Sequence, residues 1–157
     1  MRWLVLLVLL LPTASFAGQH IIGLAIVTDG DTIKINGTRI RLHGIDAPES
    51  RQVCVIDGNP WLCGAEATRK LDEKIGGREV DCEAQDIDRY GRTVAVCSVG
   101  GQDLNSWMVR QGLAVAYRKY SMDYVGQEEE SKSARSGIWA SEFEMPWDWR
   151  KSKRRKL

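Results

Sequence analysis

Two hydrophobic rhythms organise the first third of the chain. Residues 20–27 form an apolar run with small breaks and predict a strand. Residues 31–35 alternate, with Ile33 and Ile35 on one face and Thr32 and Lys34 on the other. Residues 38–45 alternate again, setting Ile40 and Leu42 against Arg39, Arg41 and His43. The hairpin dipeptides Asp29-Gly30 and Asn36-Gly37 separate these runs, so the pattern predicts a three-stranded meander. A fold at Asn36-Gly37 returns Asp31, which opens the second strand, to the same end of the sheet as Asp46, which follows the third.

The pattern then changes period. Residues 49–60 carry Pro, Gly, Asn and Ser signals and predict a loop. Residues 64–75 place Ala65, Ala67, Leu71 and Ile75 near one stripe and stop at Gly76-Gly77, which predicts a helix. Residues 79–85 and 93–99 predict two more strands around a polar turn at 86–91. Residues 104–111, halted by Gly112, predict a second helix, 113–117 a short extended piece, and 124–136 a third, polar helix. Residues 143–149 carry aromatics expected to pack back on the body. From Arg150 onward the chain is basic and nearly without apolar residues, and is expected to stay disordered. Five strands with a helix between the third and fourth is the order of a partly open OB-type barrel. The fold class is therefore α+β, a five-stranded OB-type β-barrel with three α-helices. At 157 residues, without an internal repeat or low-complexity linker, one domain is expected.

Residues 1–17 read as a secretory signal peptide. Arg2 opens them, residues 4–11 are unbroken apolar, and Ser15 and Ala17 supply the small positions before Gly18. The apolar run falls short of the roughly 20 residues of a spanning helix, so no stable membrane insertion is expected after its removal. The expected division is a signal peptide at 1–17, a folded domain at 18–149 and a basic tail at 150–157, in a secreted or periplasmic monomer. Without Arg2 the chain holds 21 basic and 21 acidic residues, and five of the positive charges lie in the last seven positions. The folded body is thus mildly acidic, and a polyanion would have to be held by a local patch. Cys54, Cys63, Cys82 and Cys97 contain no Cys-x-x-Cys spacing, which argues against zinc. Export puts them where disulfides persist. Three pairings are open, with free cysteines as the alternative. Cys54–Cys63 would close the loop after residue 49, and Cys82–Cys97 would link two strands. Either closure would stabilise by roughly 2.5–3 kcal/mol through chain entropy.

The densest chemistry lies at 41–49, Arg-Leu-His-Gly-Ile-Asp-Ala-Pro-Glu. Asp46 and Glu49 flank Pro48, whose fixed φ stiffens the corner. Two acids just after a strand that carries Arg41 suggest a site that holds a cation and an anionic substrate together. Asp31 lies one hairpin upstream, and Arg92 follows the turn at 88–91. Alone, each has a plainer reading: a turn residue, a cap or a solvated charge. His20 and His43 are assigned no catalysis.

Five blocks in order give a sharper reading. Val-Thr-Asp-Gly-Asp-Thr at 27–32, residues 41–49, Asp-Arg-Tyr-Gly-Arg at 88–92, Val-Arg-Gln-Gly-Leu-Ala at 109–114 and Gly-Ile-Trp at 137–139 resemble the staphylococcal nuclease (thermonuclease) family, over about residues 21–141. The resemblance implies a calcium-dependent nuclease on an OB-type barrel, hydrolysing DNA and RNA, single-stranded or locally unpaired substrates favoured. It implies P–O5′ cleavage with 3′-phosphate products. By the same resemblance Asp31, Asp46 and the carbonyl of Ala47 would bind Ca²⁺, Arg41 and Arg92 would clamp the scissile phosphate, and Glu49 would orient or deprotonate the attacking water. The best-known member carries Thr at the position of Ala47, and a backbone metal contact tolerates that change. Arg89, Tyr90 and Tyr117 are candidate substrate contacts, by phosphate binding or base stacking. The competing reading is a catalytically inactive OB-fold module that binds nucleic acid.

Overall fold

The computed structural model describes residues 18–155; the expected signal peptide at 1–17 lies outside them. Strand β1 (His20–Asp29) pairs antiparallel with β2 (Thr32–Ile35), and β2 with β3 (Thr38–Leu42). The β2–β3 turn is Asn36-Gly37, both with positive φ (48° and 83°), which the type I′ hairpin requires. The third strand ends earlier than its alternation predicts. Gly44 turns the chain, and a two-residue strand, β4 (Ile45–Asp46), continues beyond it.

The predicted loop at 49–60 contains a small hairpin, β5 (Cys54–Ile56) with β6 (Asn59–Trp61), which turns at Asp57-Gly58. Helix α1 (Cys63–Ile75) follows, and Gly76 closes it in the left-handed conformation. Then β7 (Glu79–Ile87) pairs antiparallel with β1 and with β8 (Thr93–Val99). A parallel pairing of β3 with β8 closes the five strands into a barrel, in the order β3-β2-β1-β7-β8. Two-residue β9 (Gln102–Asp103) leads into α2 (Leu104–Arg110), whose first turn is capped by Asp103 accepting from the Ser106 amide at 2.9 Å. Next, β10 (Val115–Ala116) pairs with β4, setting Val115 opposite Asp46.

The last elements are α3 (Val125–Ser133), shorter than predicted, a 3₁₀ turn (Gly137–Ala140) and α4 (Pro146–Arg154). The described residues thus hold four α-helices where the sequence pattern suggested three. Of the basic tail at 150–157, expected to be disordered, residues 150–154 form the second half of α4, and 156–157 lie outside the described residues. Pro146 starts that helix, Asp148 lies in its first turn, and Lys151, Lys153 and Arg154 lie in its last, as the helix dipole favours. Trp147 anchors it by stacking on Tyr117, ring centroids 5.3 Å apart and planes 7° from parallel.

The barrel interior is filled by Ile33, Ile35, Ile40, Leu42, Val80 and Val99, and α1 covers one end with Ala67, Leu71 and Ile75. Fully burying one such side chain contributes about 1.5–3 kcal/mol. A smaller cluster of Val115, Ile138, Trp139 and Phe143 surrounds the Cys54–Cys63 disulfide. Cys82 and Cys97 face each other across β7 and β8 and form the second disulfide.

Candidate active site

The β2–β3 register places Thr32 opposite Arg41, so Asp31 and Arg41 leave the barrel at the same rim. Asp31 is 6% exposed and Asp46 fully buried. Arg41 bridges them: Nη2 donates to Asp46 Oδ1 at 2.8 Å, and Nη1 lies against Asp31 Oδ1. Its Nη2 also reaches the Ile45 carbonyl at 3.3 Å. Burial pulls the Arg41 guanidinium below its ordinary pKa, and the charge of Asp46 opposes this. Asp31 Oδ2 accepts the Ala47 amide at 2.7 Å, which ties the β1–β2 turn to the 45–49 corner. The small Ala47 side chain is buried; at Gly30 a Cβ would come within 2.7 Å of Ala47 Cβ and 2.9 Å of Ala67 Cβ. Small residues therefore let α1 seat directly beneath the site.

Arg92 reaches the same rim from β7–β8. Its Nε donates to Asp88 Oδ2 at 2.8 Å, and its Nη1 reaches Thr32 Oγ1 at 3.5 Å. Thr32 Oγ1 in turn donates to Asp31 Oδ1 at 3.2 Å, so Thr32 joins Arg92 to the acidic pair. Asp29 adds a further carboxyl, accepting the Asp31 amide at 3.1 Å. Burial pushes its pKa up, while the charges of Arg41 and Arg92 oppose the rise.

Glu49 sits on a loop held by Gln52, which is fully buried. The Gln52 amide donates to the Glu49 carbonyl at 2.6 Å, Gln52 Oε1 accepts the Glu49 amide at 3.2 Å, and Gln52 Nε2 donates to the Glu144 carbonyl at 2.6 Å. Six residues after Glu144, α4 delivers Arg150. That guanidinium lies on both carboxylates: Nη1 donates to Asp46 Oδ1 at 3.0 Å and to Glu49 Oε1 at 2.7 Å, and Nη2 to Asp46 Oδ2 at 2.8 Å. Burial works against its charge, but the bonds to Asp46 and Glu49 outweigh it and hold its pKa above the ordinary value.

Asp31, Arg41, Asp46, Ala47, Glu49 and Arg92 are therefore gathered on one rim. Tyr117 stands beside them: burial raises its pKa, and the charge of Asp46 adds to the rise. A cleft of about 540 Å³ opens next to it, lined by Lys119, Trp147, Lys151 and Arg154 among others. Arg89 and Tyr90 stand further out. Tyr90 is exposed, its hydroxyl accepts from Arg89 at 2.7 Å, and its ring lies 5.6 Å from the Arg92 guanidinium. The two histidines pair at the surface, His20 with Asp81 and His43 with Asp123. Sequence reasoning missed Gln52, Thr32 and Arg150. Only Arg150 left a signal, the Pro-Trp-Asp-Trp-Arg run, which starts a helix at Pro and sets Trp147 and Arg150 three apart on one face.

The donor set consists of hard oxygens. Among the described residues, no group of three or more His, Cys, Asp or Glu is poised to hold a metal. Asp31 and Asp46, buried and matched by guanidinium charge, suit an oxygen-seeking divalent cation that completes its shell from a carbonyl, water and substrate.

The five strands close into an OB-type barrel whose rim sets buried carboxylates between arginine forks. The profile described as "Staphylococcal nuclease homologue" matches residues 39–141. The succinoglycan biosynthesis protein ExoI of Rhizobium meliloti (strain 1021) is 39% identical over 144 residues, 89% of this chain and 75% of that protein. The micrococcal nuclease of Shigella flexneri is 33% identical over 167 residues, 94% of this chain and 88% of the relative. An uncharacterized endonuclease of Escherichia coli O157:H7 is 34% identical over 135 residues, 81% of this chain and 82% of the relative. The chain belongs to the staphylococcal nuclease family.

Proposed function

We propose that the protein is a Ca²⁺-dependent nuclease that hydrolyses the P–O5′ bond of DNA and RNA and leaves 3′-phosphates. The observation that carries the reading is the double engagement of Arg41, which holds Asp31 and Asp46 together on the rim that also carries Glu49 and Arg92. In this reading Asp31, Asp46 and the Ala47 carbonyl hold the ion. When bound, Ca²⁺ supplies Lewis-acid polarisation of the phosphate, on the order of several kcal/mol. Glu49 accepts the proton of the attacking water, a role that contributes about 10²–10⁴-fold in rate. Arg92 presents its Nη groups, and Arg41 the N–H groups not taken by Asp31 and Asp46, to the equatorial oxygens, and both neutralise the charge that grows there as the P–O5′ bond lengthens. The O5′ leaves and takes a proton from solvent, which gives the 5′-hydroxyl, and Glu49 returns its proton to solvent. Tyr117, Trp147, Lys119, Lys151 and Arg154 form an aromatic and cationic cleft, which suits an unpaired strand leaving the site. Two disulfides fit a chain that works outside the cytoplasm, secreted or periplasmic, and in this reading it acts as a monomer. Among the described residues no helix is long and apolar enough to cross a membrane.

The test is incubation of the mature chain with single-stranded DNA and RNA, in Ca²⁺ and then in chelator, with end-group analysis. Ca²⁺-dependent products ending in 3′-phosphate support the reading, and their absence rejects it. One observation favours a second reading: Arg150 covers both Asp46 and Glu49. A barrel locked in that state would bind nucleic acid without cutting it, and tight binding without turnover would select that alternative.

A further inference from the structure

Both oxygens of Asp46 are occupied by one side chain that the catalytic reading does not use. Arg150 donates to Oδ1 at 3.0 Å and Oδ2 at 2.8 Å, while Arg41 holds Oδ1 from the other side. The same guanidinium occupies Glu49 Oε1. A cation cannot coordinate Asp46, nor a water reach Glu49 Oε1, until Arg150 moves.

Its surroundings let the side chain move without the helix. The backbone is fixed on the approach to Arg150: the Glu144 carbonyl accepts from buried Gln52, Pro146 is buried, and Trp147 stacks on Tyr117. The Arg150 side chain itself is 33% exposed, so it has a route to solvent, whereas Arg41 at 13% has little. Asp46 is fully buried, and a buried carboxylate without a counter-charge is strongly destabilised. One guanidinium is fixed and the other exchangeable.

We propose that Arg150 is a displaceable built-in counter-cation: it closes Asp46 and Glu49 together in the ion-free chain and yields Asp46 to a divalent cation. The proposal rests on the reading of Asp46 as a cation ligand. Metal affinity is then lowered by the fraction of molecules in which Arg150 is seated. A latch closed about nine-tenths of the time weakens binding about tenfold.

The test titrates Ca²⁺ alone, by calorimetry, into the mature wild-type chain and the variants Arg150→Gln, Arg150→Ala and Lys153→Ala. Lys153 is on the same helix, and its ammonium lies over Trp149 at 5.1 Å. It controls for the simple loss of one positive charge. Melting curves are recorded in chelator and in Ca²⁺. The Gln variant keeps a long polar side chain over the carboxylates and is read where Ala unfolds. The expected result is about tenfold or greater tightening for the Arg150 variants, with little change for Lys153→Ala. In chelator the Arg150 variants melt below wild type, and Ca²⁺ raises their melting temperature more than it raises that of wild type. Equal affinity in wild type and the Arg150 variants, or equal tightening by Lys153→Ala, overturns the latch. If wild type still cleaves in Ca²⁺, the nuclease reading stands without it. If no chain binds Ca²⁺ and none cleaves, both fall.

Discussion

Arg92 Nε donates to Asp88 Oδ2 at 2.8 Å, while the Arg92 amide donates to the other oxygen of the same carboxylate at 3.0 Å. Asp88 therefore fixes both ends of the arginine, its backbone and its fork, across the β7–β8 turn. This leaves Nη1 directed to Thr32 and the acidic rim.

Replacing Asp88 with Ala frees that fork. Removing a positioned donor from a developing oxyanion costs about 10²–10³ in kcat, the loss expected for Arg92→Ala. Asp88→Ala keeps the donor but loosens its aim, and misplacement by about 1 Å costs up to about 10²-fold. The expected order of kcat is wild type, then Asp88→Ala, then Arg92→Ala, measured at saturating single-stranded DNA. Equal rates for wild type and Asp88→Ala would show that the fork is aimed by something else.

The same carboxylate gives the stability a definite pH dependence. Burial pushes the Asp88 pKa up, but hydrogen bonds from the Arg92 amide and side chain and from the Tyr90 amide outweigh it, holding it below 3.8. In that acid range the unfolded chain binds the proton more tightly, so stability rises with pH. The contribution is complete above the unfolded value of 3.8 and is lost as pH falls through the lower folded value. Urea unfolding of wild type and Asp88→Asn should show a constant gap near neutrality that narrows on the acid side of 3.8. A gap that persists there would remove Asp88 from the account.

How legible this was in the sequence follows from where each constraint lives. Asn36-Gly37 is a local turn signal, and it alone sets Thr32 against Arg41 and so Asp31 against the 45–49 corner. The barrel order was readable for the same reason, from strand alternation and turn dipeptides. Gln52 and Thr32 were not, because their roles are contacts with residues distant along the chain, Glu144 and Arg92. Arg150 was misjudged through composition. A run of Lys and Arg reads as solvated, yet Trp147 supplies the stacking that seats the helix, and Asp46 supplies the charge that orders its arginine.

Glu128 connects α3 to the site through the sheet. It is 1% exposed; Oε1 accepts the Ala116 amide at 3.1 Å, and Oε2 accepts Lys132 at 3.0 Å and Arg118. Ala116 belongs to β10, the strand that pairs with Asp46. Glu128→Ala leaves the buried amide without a partner, which costs about 1–3 kcal/mol. Glu128→Gln retains an acceptor and should recover most of the loss. Chemical denaturation of the three chains checks the order, and equal losses for Ala and Gln would shift the weight to the ion pairs.

The last prediction sets two glycines against each other. Gly64, the second residue of α1, lies against the Glu49 loop, and a Cβ there would fall 1.7 Å from the Glu49 carbonyl oxygen and 3.1 Å from Ser50 Cα. The obstruction is backbone, and that backbone is also bonded to Gln52, so it cannot rotate aside as a side chain would. Either the first turn of α1 lifts away or the loop shifts, and both move Glu49. Gly64→Ala should therefore lower the melting temperature and slow cleavage by about 10²-fold, the cost of roughly 1 Å of misplacement at a reacting group. Gly126 lies in α3 with nothing within 4 Å of its added Cβ and no positive φ. There the same substitution only restricts the unfolded chain, and it should stabilise by about 0.4–1 kcal/mol with cleavage unchanged. Melting curves and initial rates on both variants decide the matter: loss of stability in Gly64→Ala without loss of rate would mean that the loop relaxes without disturbing Glu49.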